Sequence, residues 1–328
     1  MNRSHRGLVA VGVAFLAGAL LGLLLLLLVA RLREGTRGRG EADSLVLYCA
    51  QDQGFAESVL AGFTGMTGLK VRAVYDSEAV KTVGLANRLI AEMPNPRAHV
   101  FWGNEELRTR QLAARGVFGT NRIGSADAGW VAFGSRTRRL VVDPRKVPVA
   151  ERPSSLVELT NARWKGKVSL AMPLFGTSSA HFHALRAQWG EATWRQWCQA
   201  LMANQPFLEP GNSHVVRRVI GGEAWVGLTD SDDILMARKG GASLEALPLG
   251  EDFLSIPNTV ALVQVASPGS PARKLVEFLT SEGVRARLVE AGALEAEVPP
   301  AGRWIRPDWD RVLKNLDGTV RELEGIFQ

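Results

Sequence analysis

The chain has 328 residues, room for two lobes whose cores fold without covalent staples. Its composition is that of an ordinary globular protein, 46% hydrophobic and 22% charged. The net charge of +6 is concentrated at one end: Arg3, Arg6, Arg31, Arg33, Arg37 and Arg39 stand against Glu34, and residues 41–328 carry 33 basic and 32 acidic groups. A nearly neutral body with no basic, aromatic-studded patch argues against nucleic acid as a partner.

Gly7 to Ala30 is an uncharged run of 24 residues, long enough to cross a bilayer and longer than the apolar core of a cleaved signal. Leu28-Val29-Ala30 is a poor cleavage site and no cysteine follows closely, so the expectation is an uncleaved N-terminal hydrophobic helix, a signal anchor with linker over residues 1–40. Arginines flank the run on both sides, and their count after it favours a cytoplasmic body.

Residues 45–50 form a near-continuous apolar strand of the kind covered on both faces, ending at Gln51-Asp52. Phe55, Val59, Leu60 and Phe63 then recur at helical spacing. A second strand, Leu69 to Val74, ends at Asp76-Ser77-Glu78, and a helix carrying Val80, Val83, Leu89 and Ile90 stops before Pro94. The third strand, His99 to Trp102, ends at Gly103-Asn104, and its helix opens with Glu105-Glu106. Three β-then-α units with short turns predict a parallel sheet with right-handed crossovers.

Gly129 to Gly134 and Arg138 to Pro144 suit an extended segment leaving the first lobe, and Pro148, Pro153 and Ser154-Ser155 mark a boundary. The second lobe holds a strand at Val168–Met172, a hydroxyl-rich loop with Thr177-Ser178-Ser179 before a helix, and Asn212-Ser213 capping another. Trp225, Val226 and Leu228 form a strand that bursts into Asp230-Ser231-Asp232-Asp233. Leu254 to Val263 returns to the first lobe, and Val276–Leu279 and Val284–Val289 supply closing helices. The lobes so defined are 41–140, 141–253 and, returning to the first, 254–328.

Ligands of open α/β sheets bind beyond the carboxyl ends of the strands. The candidate ligand residues are therefore Gln51, Asp52, Ser77, Glu78, Asn104 and Glu105 from the first lobe. From the second they are Thr177, Ser178, Ser179, Asn212, Ser213, Asp230, Ser231, Asp232 and Asp233. Every one of these strand ends is also a good helix N-cap, which explains about half of them without a ligand. Three carboxylates in four residues repel unless solvent, helix-end N–H groups or a cation offset them. Asp230, Asp232 and Asp233, with Glu105 opposite, are the candidate metal ligands. Hydroxyls at helix starts favour an anion, and a small molecule with both kinds of end satisfies both sets.

His181 and His183 sit two residues apart and point to different helical faces, which disfavours a shared metal. Cys49 and Cys198 allow a disulfide in an oxidising compartment without requiring one. Trp189, Trp194 and Trp197 suit a core. No nucleophile elbow, His-Glu-x-x-His or phosphate-binding loop appears, so neither an enzyme nor a cofactor is expected.

Four stretches then carry a resemblance: Val74-Tyr-Asp-Ser-Glu-Ala-Val-Lys-Thr; Val100-Phe-Trp-Gly-Asn-Glu; Leu159-Thr-Asn-Ala-Arg-Trp-Lys-Gly-Lys-Val-Ser-Leu-Ala-Met-Pro; and Pro268-Gly-Ser-Pro-Ala-Arg-Lys-Leu-Val-Glu-Phe-Leu. In order and spacing the chain resembles the type II solute-binding proteins of ABC importers, in the ferric-iron-binding branch, from about residue 43 to its end. The resemblance implies an α/β fold of two lobes joined by crossover strands, closing on a ligand cleft. It also implies export to the periplasm or the outer face of the cytoplasmic membrane, with an ABC permease and ATPase as partners. The iron-binding members place paired tyrosines just after the strand corresponding to Trp225–Leu228. Here that position is Asp230-Ser-Asp-Asp, and the chain has two tyrosines in all, Tyr48 and Tyr75. The expected cargo is a small polar or metal-containing solute; a membrane-tethered sensing domain for a signalling partner is the alternative.

Overall fold

β1 (Leu45–Cys49) is buried from end to end, and its alternating residues feed two cores. Leu45, Leu47 and Cys49 enter one cluster, and Val46, Tyr48 and Ala50 enter the other. This is why the strand reads as an unbroken apolar run: both faces of its sheet are covered. The first face is covered by α1 (Gln53–Thr67), whose Ala56, Val59, Leu60 and Phe63 point inward. β2 (Val71–Val74) pairs in parallel with β1 and leads to α2 (Lys81–Ala91). β3 (Val100–Gly103) pairs in parallel with β1 on its other side, and α3 (Glu106–Ala114) follows.

The computed structural model describes residues 44–76, 81–119, 123, 129–264, 267–296 and 304–328. The apolar run 7–30 and the candidate ligand residues Ser77 and Glu78 lie outside them. Among the described residues no helix is long and apolar enough to cross a membrane.

β4 (Trp130–Val142) belongs to both halves of the molecule. β5 (Val168–Ala171), α4 (Gly176–Trp189), α5 (Glu191–Ala203), β6 (Phe207–Glu209), α6 (Asn212–Ile220), β7 (Val226–Asp230), α7 (Ser231–Lys239) and β8 (Glu245–Leu247) build the second half. β9 (Ser255–Leu262) returns, followed by α8 (Pro271–Leu279), α9 (Glu282–Ala291), α10 (Trp309–Lys314) and α11 (Leu316–Phe327). The strands run in the order β2-β1-β3-β9-β4-β7-β5-β6, with β8 also on β4. Trp130 to Thr137 pairs antiparallel with β9, and Arg138 to Val142 pairs antiparallel with β7, so one strand stitches two parallel sheets together. The register slips between Phe133 and Ser135, where Gly134 has φ +58°. A side chain there would be strained and would also run into Leu294, so the bulge needs glycine.

The second core collects Leu140, Val142, Val168, Leu170, Val226 and Leu228 from its sheet, with Phe182, Trp194 and Trp197 from the covering helices. Gly227 faces α6: a Cβ there would lie 2.7 Å from Val215 Cγ1 and 2.8 Å from Val141 Cγ1, which lets that helix settle close to β7. Trp194 and Trp197 are core, as the sequence suggests, and Trp189 packs half-buried against them. Cys49 and Cys198 are buried thiols in the two separate cores, so no disulfide joins them.

One boundary needs correction. Residues 304–328 do not close the first lobe: Ile305, Leu323 and Phe327 enter the second core, with Phe327 edge-on to Phe182 at 5.6 Å. The first sheet is already covered by α1, α8 and α9 on one face and α2 and α3 on the other. The apolar face still open belongs to α4 and α5, and α11 covers it. The intervening α10 touches both halves, packing Val312 with Leu107 and Ala180.

Candidate functional site

The ends of both sheets border one cleft. Asp52, Thr82 and Asn104 come from the first lobe, Arg136 from β4, and Ala171–Met172, Phe175–Ser178, Pro210–Ser213, Asp230, Asp232 and Asp233 from the second.

The side chain of Asp230 organises the second-lobe wall. It stands directly opposite Arg138 in the β4–β7 register, so alternation puts Arg136 on the same face two residues earlier. Asp230 Oδ1 accepts from Arg138 Nη1 at 2.7 Å. Its Oδ2 accepts from the Thr177 hydroxyl at 2.7 Å, from Asn212 Nδ2 at 3.1 Å and from Arg136 Nε at 3.4 Å. Arg138 is completely buried and also donates to Asn212 Oδ1 at 3.0 Å. Arg136, also buried, reaches Asp232 Oδ2 at 3.4 Å and donates to Asn258 Oδ1 at 3.3 Å.

These arginines answer the question the acid run raises. The repulsion among Asp230, Asp232 and Asp233, whose carboxylates bring one oxygen each to within 4.8 Å of one another, is offset by two guanidiniums supplied by the crossover strand. At an effective dielectric near 20, a pair of unit charges about 4 Å apart interacts by about 4 kcal/mol, so a single arginine is enough to decide an ionisation state. Burial alone raises Asp230, yet the Arg138 and Arg136 guanidiniums and the Thr177 hydroxyl overcome it and hold the group below the usual carboxylate range. Burial raises Asp232 to about 7 against the pull of Arg136, with Asp230 and Asp52 adding to the rise. Asp233 is pushed well above its ordinary value by burial and then by Asp232 and Asp230. The cluster thus holds one firm carboxylate and two carboxyls ready to donate, to accept or to ionise.

The capping roles are distributed differently from the expectation. Asp52 and Asp230 occupy N-cap positions without a side-chain capping bond, α4 starts after Phe175, and α6 starts after Gly211. Asn212 therefore does not cap: its amide bridges Arg138, Thr177 and Asp230. The true cap is Glu105, whose Oε1 and Oε2 accept from the Arg108 backbone N–H at 3.1 and 3.2 Å. Glu105 is fully buried away from the cleft and is raised to about 7 by burial, partly countered by Arg108. It is not opposite the acid cluster as a metal ligand.

Three further candidates do not border this cleft. Gln51 is buried below the strand end, and its carbonyl faces the Cys49 thiol. Ser179 turns inward, its carbonyl accepting from His183 Nδ1 at 2.8 Å. Ser231 accepts from the Thr137 backbone N–H at 3.1 Å and lines a groove on the other side, with Arg139, Leu235 and Glu295. Successive residues in a first helical turn point about 100° apart, so a run of hydroxyls or acids cannot all face one way. His181 and His183 are separate, with His181 Nε2 donating to the Asp252 carbonyl at 2.8 Å.

Tyr48 is buried, its hydroxyl donating to the Glu92 carboxylate at 2.9 Å, and neither it nor Tyr75 borders the cleft. Two groups of the cleft lining have no internal partner: the Ser178 hydroxyl, 1% exposed, in the first turn of α4, and Asp232 Oδ1. Arg136 lines the cleft and Arg138 holds Asp230 in its wall, and the strand-end rule picks out neither. Their signal is Arg-x-Arg entering the apolar Leu140-Val-Val, two charges on the same face of a strand that must be buried.

The family model described as bacterial extracellular solute-binding protein matches residues 117–315. The "Fe(3+)-binding periplasmic protein" of Serratia marcescens is 28% identical over 201 residues, 58% of this chain and 57% of that protein. The chain thus spans little more than half the length of that relative. Among solved structures, iron-bound HitA from Pseudomonas aeruginosa superposes with a TM-score of 0.73 at 19% identity, covering 87% of this chain and 99% of that one. AfuA from Actinobacillus pleuropneumoniae, with exogenous fructose-6-phosphate bound, superposes with a TM-score of 0.71 at 19% identity, covering 86% and 97%. At such identities these likenesses establish the two-lobed fold alone.

Proposed function

We propose that this chain, which belongs to the bacterial extracellular solute-binding protein family, is the capture component of an ABC importer and takes a small polar solute in the cleft between its lobes. The family is one of binding proteins, not of enzymes. The observation that carries the reading is the cleft itself: polar strand and helix ends from both halves meet there, and the buried Ser178 hydroxyl on its wall lacks an internal partner.

On this reading the first lobe comprises residues 41–140 and 254–296, and the second comprises 141–253 and 304–328. β4 and β9 are the connections about which the lobes close. The body works in the periplasm or on the outer face of the cytoplasmic membrane, held by the apolar run 7–30, and hands its solute to a permease driven by an ATPase. Iron is the cargo named for the Serratia relative.

The test is to purify the full chain in mild detergent from its native membrane and examine it by native mass spectrometry. A retained small solute is expected, and adding it back at about 100 times its Kd should stabilise the fold by about 2.7 kcal/mol. Asp232→Ala with Asp233→Ala should reduce that gain. A chain that never retains a solute, and is stabilised equally by everything or nothing after those substitutions, rules the reading out.

A further inference from the structure

On the solute-binding reading above, we infer that Arg136 is the specificity-determining residue of the cleft, a built-in cation that makes the site refuse a bare metal ion and accept an organic solute bearing an oxyanion and hydroxyl groups. The acid cluster looks like a cation trap, but its central member is spent. Both oxygens of Asp230 are taken by Arg138, Thr177, Asn212 and Arg136. Asp232 Oδ2 in turn faces Arg136 Nε at 3.4 Å. A multivalent cation drawing on these carboxylates has to lie beside a guanidinium that is 4% exposed and held by Asp230, Asp232 and Asn258, with nowhere to withdraw.

The remaining groups ask for the opposite charge. Arg136 borders the cleft as a donor with no acceptor capacity of its own. The Ser178 hydroxyl, 1% exposed, has no partner inside the protein, and a buried hydroxyl without one is costly. The first turn of α4, a helix of 14 residues, opens on the same wall without a side-chain cap, presenting backbone N–H groups. An oxyanion satisfies these donors together. Asp232, 9% exposed and with its Oδ1 likewise unpartnered, then accepts from hydroxyls on the rest of the solute, with Asp233 beside it.

The full chain in detergent is titrated calorimetrically and by thermal shift with fructose 6-phosphate, inorganic phosphate, gluconate and ferric nitrilotriacetate. Binding of fructose 6-phosphate or gluconate is expected, with inorganic phosphate at least tenfold weaker for want of hydroxyls, and no response to the ferric chelate. Arg136→Met is expected to weaken the organic anion tenfold or more. Ser178→Ala, which removes only a hydroxyl and leaves folding intact, is expected to weaken it several-fold. The inference is overturned if the ferric chelate stabilises the wild type, if no oxyanion binds, or if both variants bind as the wild type does. In each of those cases a solute of other chemistry retained in native mass spectra leaves the capture reading standing, and its absence removes that reading as well.

Discussion

The ion pair beneath the cleft offers a direct test of how the acid run is tolerated. Arg138→Met keeps most of the side-chain volume and removes the guanidinium that donates to Asp230 at 2.7 Å and to Asn212 at 3.0 Å. Breaking a buried pair by removing one partner typically destabilises by about 3–5 kcal/mol, because a buried charge is left behind. Here Asp230 keeps the Thr177 hydroxyl, the Asn212 amide and Arg136 at 3.4 Å, so the loss should sit near the lower end, about 3 kcal/mol. For a chain of this size that is a fall in Tm of roughly 4–5 °C. Adding Asp230→Asn removes the stranded charge, and the double variant should lie within about 1–2 kcal/mol of the wild type. Urea unfolding of the wild type, both singles and the double completes the cycle. A single variant that loses less than about 1 kcal/mol, or a double variant as unstable as the two losses added, refutes the view that Arg138 is the counter-ion.

Gly227→Ala should destabilise by about 1–3 kcal/mol, since its methyl would meet Val215 and Val141 inside contact distance; urea unfolding measures this, and a neutral result would mean that α6 shifts freely. Glu105→Gln should leave solute affinity unchanged and stability within about 1 kcal/mol, because a neutral amide oxygen still accepts from the Arg108 N–H; a calorimetric loss of binding would return Glu105 to the cleft. His181 is lowered to about 3 by burial and then by Arg138, against the Asp252 carbonyl and Asp230. It stays neutral in the fold and charges on unfolding, so its share of stability is complete above about pH 6.5 and lost as pH falls toward 3, by at most about 1.4 kcal/mol per pH unit. Chemical denaturation of His181→Gln from pH 7 to 4 should show a shallower acid slope than the wild type; equal slopes would mean that the ring is already charged in the fold.

Much of the architecture is written locally. The apolar run 45–50 demands a strand covered on both faces, and it is one. Wherever such a strand ends, the polar residues that follow are carried to the same edge of the sheet. For that reason Asp52, Asn104, Thr177, Ser178, Asn212, Ser213, Asp230, Asp232 and Asp233 gather at one cleft despite their distance in sequence. Which way each side chain turns is not local. Glu105 satisfies its own helix, Ser179 bonds inward and Ser231 meets β4, because rotation along a helical turn sends adjacent residues to different surroundings.

The sequence by itself determined the three β-then-α units of the first lobe, the crossing segments and the strand ends that gather at the cleft, since each depends on periodicity and on turns between neighbours. Only the tertiary structure decided the charge of the cleft and the destination of the last two helices. Arg138 and Asp230 are 92 residues apart and become partners through strand register, and α11 covers the helical face that the second lobe leaves open. Register and leftover apolar surface are properties of the assembled sheets and helices, and no stretch of the chain carries them alone.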